Sequence, residues 1–338
     1  MSALKTPATL VLAFLFIAGI AVLPGYSNAQ SQDDNRVSMR VVPEAPEPFQ
    51  KVTMTLISFS VDLDRASISW SLNGKKALSG VGEKEFSFLA GGVGEAKRVD
   101  ITIRTPVSET IIKNYTIIPG EIPLLWEAIE SYTPPFYKGK ALPSSEASIR
   151  VVAIPKMKNG GVEVKPENLI YEWKRNNKSV SGSSGYGRNT FVFKAGYPLT
   201  NEKIEVFAET VDGRSVAKNQ IIITIGEPLL YFYENRPLEG VYYERAIPER
   251  VILDTGEIAA VAEPYFFSAL GRMKKDLLFS WLLNEKEIPG SENDQGSVVL
   301  RAPSGVEGIA ELVAIVAHKT KVLQEKDARV LIQFGTTQ

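Results

Sequence analysis

The side chains that could do chemistry in this chain are few and scattered. His318 is the sole histidine and cysteine is absent. A structural zinc site draws on several nitrogen or sulfur ligands, and a hydrolase triad needs a serine on a strained Gly-x-Ser-x-Gly turn, so a lone imidazole serves neither. His318 follows an apolar alternating run and precedes Lys319, which predicts a solvated strand end. Gly91-Gly92-Val93-Gly94 has the glycine density of a phosphate loop. It lacks the Gly-Lys-Ser/Thr ending and a following helix, and is expected to be a flexible connection between strands. Asp62-Leu63-Asp64 and Glu292-Asn293-Asp294-Gln295 are the compact acidic clusters. Calcium takes roughly six to eight oxygens, more than either cluster offers, and neither recurs along the chain, so both are expected to be solvated turns. No carboxylate pair stands out for acid–base work. The expectation is a protein without catalytic residues, metal or cofactor.

Aromatic side chains are the better candidates, because rings can stack on sugars or pack one domain on another. They gather in two stretches: Trp126, Tyr132, Phe136 and Tyr137, then Tyr231, Tyr233, Tyr242 and Tyr243. Leu125, Tyr231 and Tyr233 are expected on the core face of a first strand. Others stand in the proline-containing stretches Tyr132-Thr133-Pro134-Pro135 and Arg236-Pro237, where they can be exposed; packing of one domain on the next is favoured over a platform for sugars or a partner protein.

The elements that position these rings repeat. Three of the four tryptophans open one phrase: Trp70-Ser71-Leu72-Asn73-Gly74-Lys75, Trp173-Lys174-Arg175-Asn176-Asn177-Lys178 and Trp281-Leu282-Leu283-Asn284-Glu285-Lys286. The spacing of about 100 residues is that of one small β-domain, too long for a solenoid repeat. After each tryptophan comes an alternating strand (Phe86 and Phe88, Phe191 and Phe193, Val298 and Leu300). Each strand ends in a small-residue turn: Ala90-Gly91, Ala195-Gly196 and Ala302-Pro303. Period-two alternation marks strands with one buried face. In the first unit strands are expected at 37–42, 51–59, 67–72, 85–89, 98–104 and 110–118. Asn73-Gly74 and Asn176-Asn177 suit the positive φ of a type I′ hairpin turn, whereas Asn284-Glu285 suits it poorly and predicts another turn type. Trp70, Trp173 and Trp281 are expected as the structural core. A buried indole removes about 150–250 Å² from water, which at about 25 cal/mol per Å² contributes a few kcal/mol in domains without disulfides.

Units of about 100 residues, a tryptophan strand followed by a turn, and a strand ending in Ala-Gly resemble the immunoglobulin-like and PKD-like β-sandwich domains of bacterial surface proteins. The Gly-Asp-Gly that PKD-type domains carry after the tryptophan strand is replaced here by Asn73-Gly74-Lys75 and its counterparts. The resemblance implies an all-β chain of three tandem sandwiches, over 37–118, 119–226 and 227–338, acting in spacing, adhesion or protein contact without catalysis.

Residues 1–29 have the layout of a secretory signal peptide: Lys5, an apolar run over 8–23, then Ser27-Asn28-Ala29. An uncleaved membrane anchor is the alternative, and residues 30–36 are expected to be a linker. Export without cysteine leaves each domain to stand on its hydrophobic core. The net charge of −1, with no long run of one sign, argues against nucleic acid or an anionic membrane surface as partner. The expected role is a structural spacer or interaction rod of the cell envelope that contacts other envelope proteins. The alternative is a glycan-binding adhesin or wall-polymer receptor. Pro119 to Pro123 and Gly226-Glu227-Pro228 are expected to restrict bending between units.

Overall fold

The computed structural model describes residues 35–253, 257–269, 275–289, 296–302 and 307–334. The N-terminal apolar segment, the start of the expected linker and the Glu292–Asp294 cluster lie outside them. The described chain is all-β: three immunoglobulin-like sandwiches in tandem, with only two short 3-10 turns besides strands.

The first sandwich has seven strands: β1 (Ser38–Val42), β2 (Lys51–Ile57), β3 (Ser67–Leu72), β4 (Lys75–Val81), β5 (Glu85–Leu89), β6 (Lys97–Arg104) and β7 (Thr110–Pro119). One sheet runs β1-β2-β5 and the other β4-β3-β6-β7, with every pairing inside the sandwich antiparallel. Strand β4 is not among the expected strands. Its inner face is only half-buried, with Gly80 in place of an apolar residue, which hides the alternation that marks the others.

The second sandwich repeats the plan with β8 (Leu124–Ala128), β9 (Ser148–Ala153), β10 (Lys158–Asn159), β11 (Val162–Glu163), β12 (Leu169–Arg175), β13 (Lys178–Ser179), β14 (Gly185–Tyr186), β15 (Thr190–Lys194), β16 (Asn201–Thr210) and β17 (Ser215–Thr224). Its sheets are β8-β9-β15 and β13-β12-β16-β17, with β14 also on β12 and β10-β11 a separate hairpin. The third contains β18 (Leu229–Arg236), β19 (Gly240–Ala246), β20 (Arg250–Leu253), β21 (Glu257–Tyr265), β22 (Leu277–Leu283), β23 (Lys286–Glu287), β24 (Ser297–Arg301), β25 (Gly308–His318) and β26 (Glu325–Phe334). These form sheets β19-β18-β21-β24 and β20-β26-β25-β22-β23, in which β20 runs parallel to β26.

The repeated phrase has one structural meaning in all three copies. Trp70, Trp173 and Trp281 are each fully buried, and Ile68, Tyr171 and Phe279, two residues earlier, share their cores. The indole packs against Phe86 in the first sandwich and Phe191 in the second. In the third, Val298 holds the corresponding place and Phe232 of β18, a strand of the same sheet, supplies the ring at 5.6 Å. Trp70 and Trp173 Nε1 each donate at 2.8 Å to a backbone carbonyl, of Glu83 and Arg188.

The asparagine that follows is a staple. Asn73, Asn176 and Asn284 each accept at Oδ1, at 2.9 Å, the backbone N–H of Arg98, Lys203 and Glu311. Their own N–H groups donate back to the carbonyls of the same three residues. Leucine or arginine before the asparagine pairs with the lysine two residues after it (Leu72↔Lys75, Arg175↔Lys178, Leu283↔Lys286), which leaves a two-residue loop. Both loop residues have positive φ in every copy, and Asn284-Glu285 (48° and 64°) is no exception. The expectation of a different third turn is therefore wrong. Register and the asparagine staple force Glu285 into the left-handed region that its side chain disfavours.

Candidate interaction site at the joints between sandwiches

The two joints start from short proline-containing connections and are built differently. At the first, β7 runs straight on past its own sandwich. Ile118 and Pro119 pair in parallel with Ser215 and Val216 at the start of β17, so one sheet spans both sandwiches. Gly120 N–H donates to the Val216 carbonyl at 3.1 Å and Gly94 N–H to the Pro119 carbonyl at 2.9 Å. The glycine run expected to be a flexible loop is thus part of the joint. Gly94 has φ +74°, and the Lys158 side chain of the β10-β11 hairpin lies 2.6 Å from where its Cβ would stand. Gly120 is hemmed in the same way by Met157 and Ala217. The spacing from Lys113-Asn114 to Pro123 recurs at the second joint as Lys218-Asn219 to Pro228, but the glycines at 94 and 120 carry no repeated signal.

At the second joint the connection between β8 and β9 does the work. Its counterpart between β1 and β2 is less than half as long. The extra length carries it onto the third sandwich, where Ser131 forms an antiparallel bridge with Ser268. Tyr132 N–H donates to the Phe267 carbonyl and Phe266 N–H to the Tyr132 carbonyl, both at 2.7 Å, while Ala269 N–H reaches Glu130 O at 2.9 Å. The Tyr132 ring is buried within the core of the third sandwich beside Leu230, Phe267 and Trp281. Its hydroxyl donates at 2.6 Å to Glu263 Oε1, on a carboxylate only 1% exposed.

A polar set locks the other side. Ser144 Oγ donates to the Phe266 carbonyl at 2.6 Å. Gln324, fully buried, donates through Nε2 to the Ser145 carbonyl and to Ser268 Oγ, and its Oε1 accepts Ser268 N–H at 2.8 Å. Leu323 N–H donates to Glu146 Oε2 and Lys321 Nζ to Glu130 Oε2, both at 2.9 Å. His318 is not the solvated strand end expected of it. It is partly buried, its Nδ1 accepts the N–H groups of Thr320 and Lys321 at 3.1 Å, and it lines a cleft of about 180 Å³ with Glu130, Ser268, Ala269, Asp276 and Lys321. Burial, then the nearby Lys321 ammonium, hold its pKa below the ordinary histidine value. An Nδ1 that accepts two N–H groups is the deprotonated nitrogen of a neutral ring.

The aromatic residues divide accordingly. Tyr137 sets its edge against Tyr265 and Phe266, at 5.9 and 5.8 Å, and Tyr231 meets Tyr265 at 5.6 Å. Tyr233 packs on Tyr243, and its hydroxyl shares a 2.6 Å hydrogen bond with that of Tyr265. Burial, with the Tyr233 hydrogen bond, pushes the Tyr265 phenol above its usual range. Phe136 has φ +68°, is 85% exposed and lies 6.2 Å from Tyr243. Trp126 stands apart. Its ring packs on the second sandwich's own core and is capped by the Lys140 ammonium, 3.2 Å from its centre. Tyr242 is held within its hairpin, under the Arg236 guanidinium and donating to Glu244.

Two first-strand expectations fail by one residue of register. Leu125 and Tyr231 point outward, while Leu124, Trp126 and Ala128 in β8, and Leu230 and Phe232 in β18, face the cores. Tyr233 lies on the same outward face as Tyr231 but is buried beneath Tyr243 and Tyr265. Runs apolar on both faces leave register open. Asp62 and Asp64 serve their own surroundings: Asp62 accepts Arg65 N–H, and Asp64 pairs with Lys84 at 2.7 Å. Among the described residues no group of three His, Cys, Asp or Glu side chains is placed to hold a metal, and no helix is long and apolar enough to cross a membrane.

No protein family and no curated protein matches the sequence. Solved structures similar to it include tandem arrays. The three N-terminal domains of the bacteriophage RB49 Highly Immunogenic Outer Capsid protein match at 10% identity over 89% of this chain and 99% of that one, with a TM-score of 0.26. The central fibronectin-III array of RIM-binding protein matches at 12% over 89% and 98%, with a TM-score of 0.29. Fibronectin(III)-like modules of Clostridium thermocellum CbhA match at 10% over 56% and 94%, with a TM-score of 0.27.

Proposed function

We propose that this chain is an exported, non-catalytic spacer of the cell envelope, which holds contact surfaces on its three sandwiches at fixed separation. The observation that supports this reading is the construction of both joints. Backbone hydrogen bonds cross each of them, through β7 and β17 at the first and through Ser131-Tyr132 and Phe266 to Ala269 at the second. A freely hinged tandem array needs no such pairing. Its partners are other envelope proteins, and the balanced charge disfavours nucleic acid. Export is read from residues 1–29. It predicts a secreted chain beginning at Gln30, which mass spectrometry of the extracellular or periplasmic fraction checks; an N-terminus retained in the membrane favours the anchor.

Absence of cysteine makes site-directed spin labelling direct. Lys76→Cys and Lys286→Cys, both exposed, report the separation of the first and third sandwiches. One narrow distance distribution is expected, and a broad or multimodal one would contradict a spacer.

A second reading, a glycan-binding adhesin, draws on Phe136, exposed and held at positive φ, with Tyr231 (45% exposed) and Tyr137 (37%) on the same ring cluster. Rings presented this way suit the apolar faces of sugars. Binding on a glycan array that is lost in Phe136→Ala and Tyr231→Ala supports this reading; an array without signal removes it.

A further inference from the structure

His318 sits at the base of the turn that locks the third sandwich to the second. Its Nδ1 takes the N–H groups of Thr320 and Lys321, and the backbone N–H of His318 donates to the Gln324 carbonyl at 2.9 Å. The residues of that turn make the cross-joint bonds: Lys321 to Glu130, Leu323 N–H to Glu146, and Gln324 to Ser145. We propose that His318 is a proton-operated latch, whose protonation removes the acceptor that shapes the 319–324 turn and so releases the second sandwich from the third.

The chemistry of the step is a proton balance. A neutral imidazole accepts at one nitrogen, whereas the imidazolium donates at both, so proton uptake at Nδ1 replaces two hydrogen bonds by two opposed N–H dipoles. The groups facing the ring come from every element around it. Lys321 of the turn opposes a second positive charge, while Asp276 ahead of β22 and Glu146 of the β8–β9 connection favour it. Glu130 lines the same cleft, and the Ser268 backbone meets the ring. Burial and Lys321 are the leading causes and both hold the proton off, so the folded ring binds it less readily than an exposed histidine. The sign follows by linkage. Above the ordinary histidine value the ring is neutral with the joint open or closed. As pH falls below that value the open form takes up the proton first, and the closed joint loses stability until its own lowered pKa is passed.

The inference rests on the second joint being a fixed coupling, and the experiment separates the two claims. Spin labels at Val192→Cys and Val299→Cys, exposed on the second and third sandwiches, are measured at pH 7.5 and pH 5.0 in the full chain. A narrow distribution at pH 7.5 that broadens at pH 5.0 is expected. His318→Asn keeps an acceptor near Nδ1 without titrating, and should stay narrow at both. Amide exchange at Leu323 and Gln324, compared at pH 5.0, should be about tenfold faster in the parent than in His318→Asn, the effect of losing one to two hydrogen bonds. A distribution broad at pH 7.5 would overturn both the coupling and the latch. One that stays narrow at pH 5.0 would overturn the latch alone. Equal broadening in His318→Asn also overturns it.

Discussion

The first joint is made of backbone, whereas the second is made largely of side chains that reach into the neighbouring core. Between the first and second sandwiches β7 extends into β17, and the identities that matter are glycines, which let chains approach. Between the second and third, Tyr132 fills space in a core that is not its own, and Ser144, Glu130, Glu146, Lys321 and Gln324 hold the rim. One fold, repeated, is thus coupled in two ways with different sensitivities. A backbone joint responds to added bulk. A side-chain joint responds to truncation and, where its groups titrate, to pH.

Tyr132→Ala should separate the two joints most clearly. Loss of a buried aromatic costs about 3–5 kcal/mol, and here the loss falls on the third sandwich although the residue follows the second sandwich's first strand. Urea unfolding resolved by sandwich should show the third destabilised and the first unchanged. Tyr132→Phe, which removes only the hydroxyl donated to Glu263, should cost about 1–2 kcal/mol.

Between the joints, Glu202 offers a control that weakens a sandwich without touching either. It is 4% exposed and accepts from Arg175 at 2.9 and 2.6 Å and from Asn176 at 2.8 Å. The Arg175 hydrogen bonds chiefly hold its carboxyl below the usual range. A depressed carboxylate pKa stabilises the fold above its unfolded value, about 4.3, and that contribution is lost as pH falls through the folded pKa. Glu202→Gln should destabilise the second sandwich at neutral pH by about 2 kcal/mol, below the range for fully buried pairs because Arg175 is partly exposed. Below about pH 4 the gap from the parent should narrow.

Gly94→Ala should loosen only the first joint. It places a side chain at φ +74° and against Lys158, at a cost of about 1–2 kcal/mol. Labels on the first and second sandwiches should report a broader distance, with the second joint unaffected. The smallest effect has the opposite sign: Glu285→Gly relieves the left-handed glutamate and should stabilise the third sandwich by about 1 kcal/mol, seen as a raised urea midpoint.

What could be read from residues alone follows the range of each interaction. The buried tryptophans and the first two asparagine turns were legible because the same residue types recur at one offset, whereas the third turn was misread because Glu285 gives no local sign of the left-handed backbone it adopts. Register in β8 and β18 was not legible, since Leu124-Leu125-Trp126 and 229–233 are apolar on both faces. Aromatics near prolines marked the second joint, yet which rings meet depends on how far the β8–β9 connection travels. Gln324 with Ser145, and Lys321 with Glu130, lie too far apart in the chain for any local pattern to join them. His318 looked inert because, although the turn it caps is local, the bonds that turn makes to Glu130, Ser145 and Glu146 are not.

The shared core at the second joint is tested most directly by native-state hydrogen exchange of the Tyr132, Phe266 and Ala269 amides, each of which donates across it. Exchange as slow as that of the β22 and β25 amides, through unfolding of the third sandwich as a whole, is the predicted result. Exchange of these three at loop rates, while β22 and β25 stay protected, would contradict it.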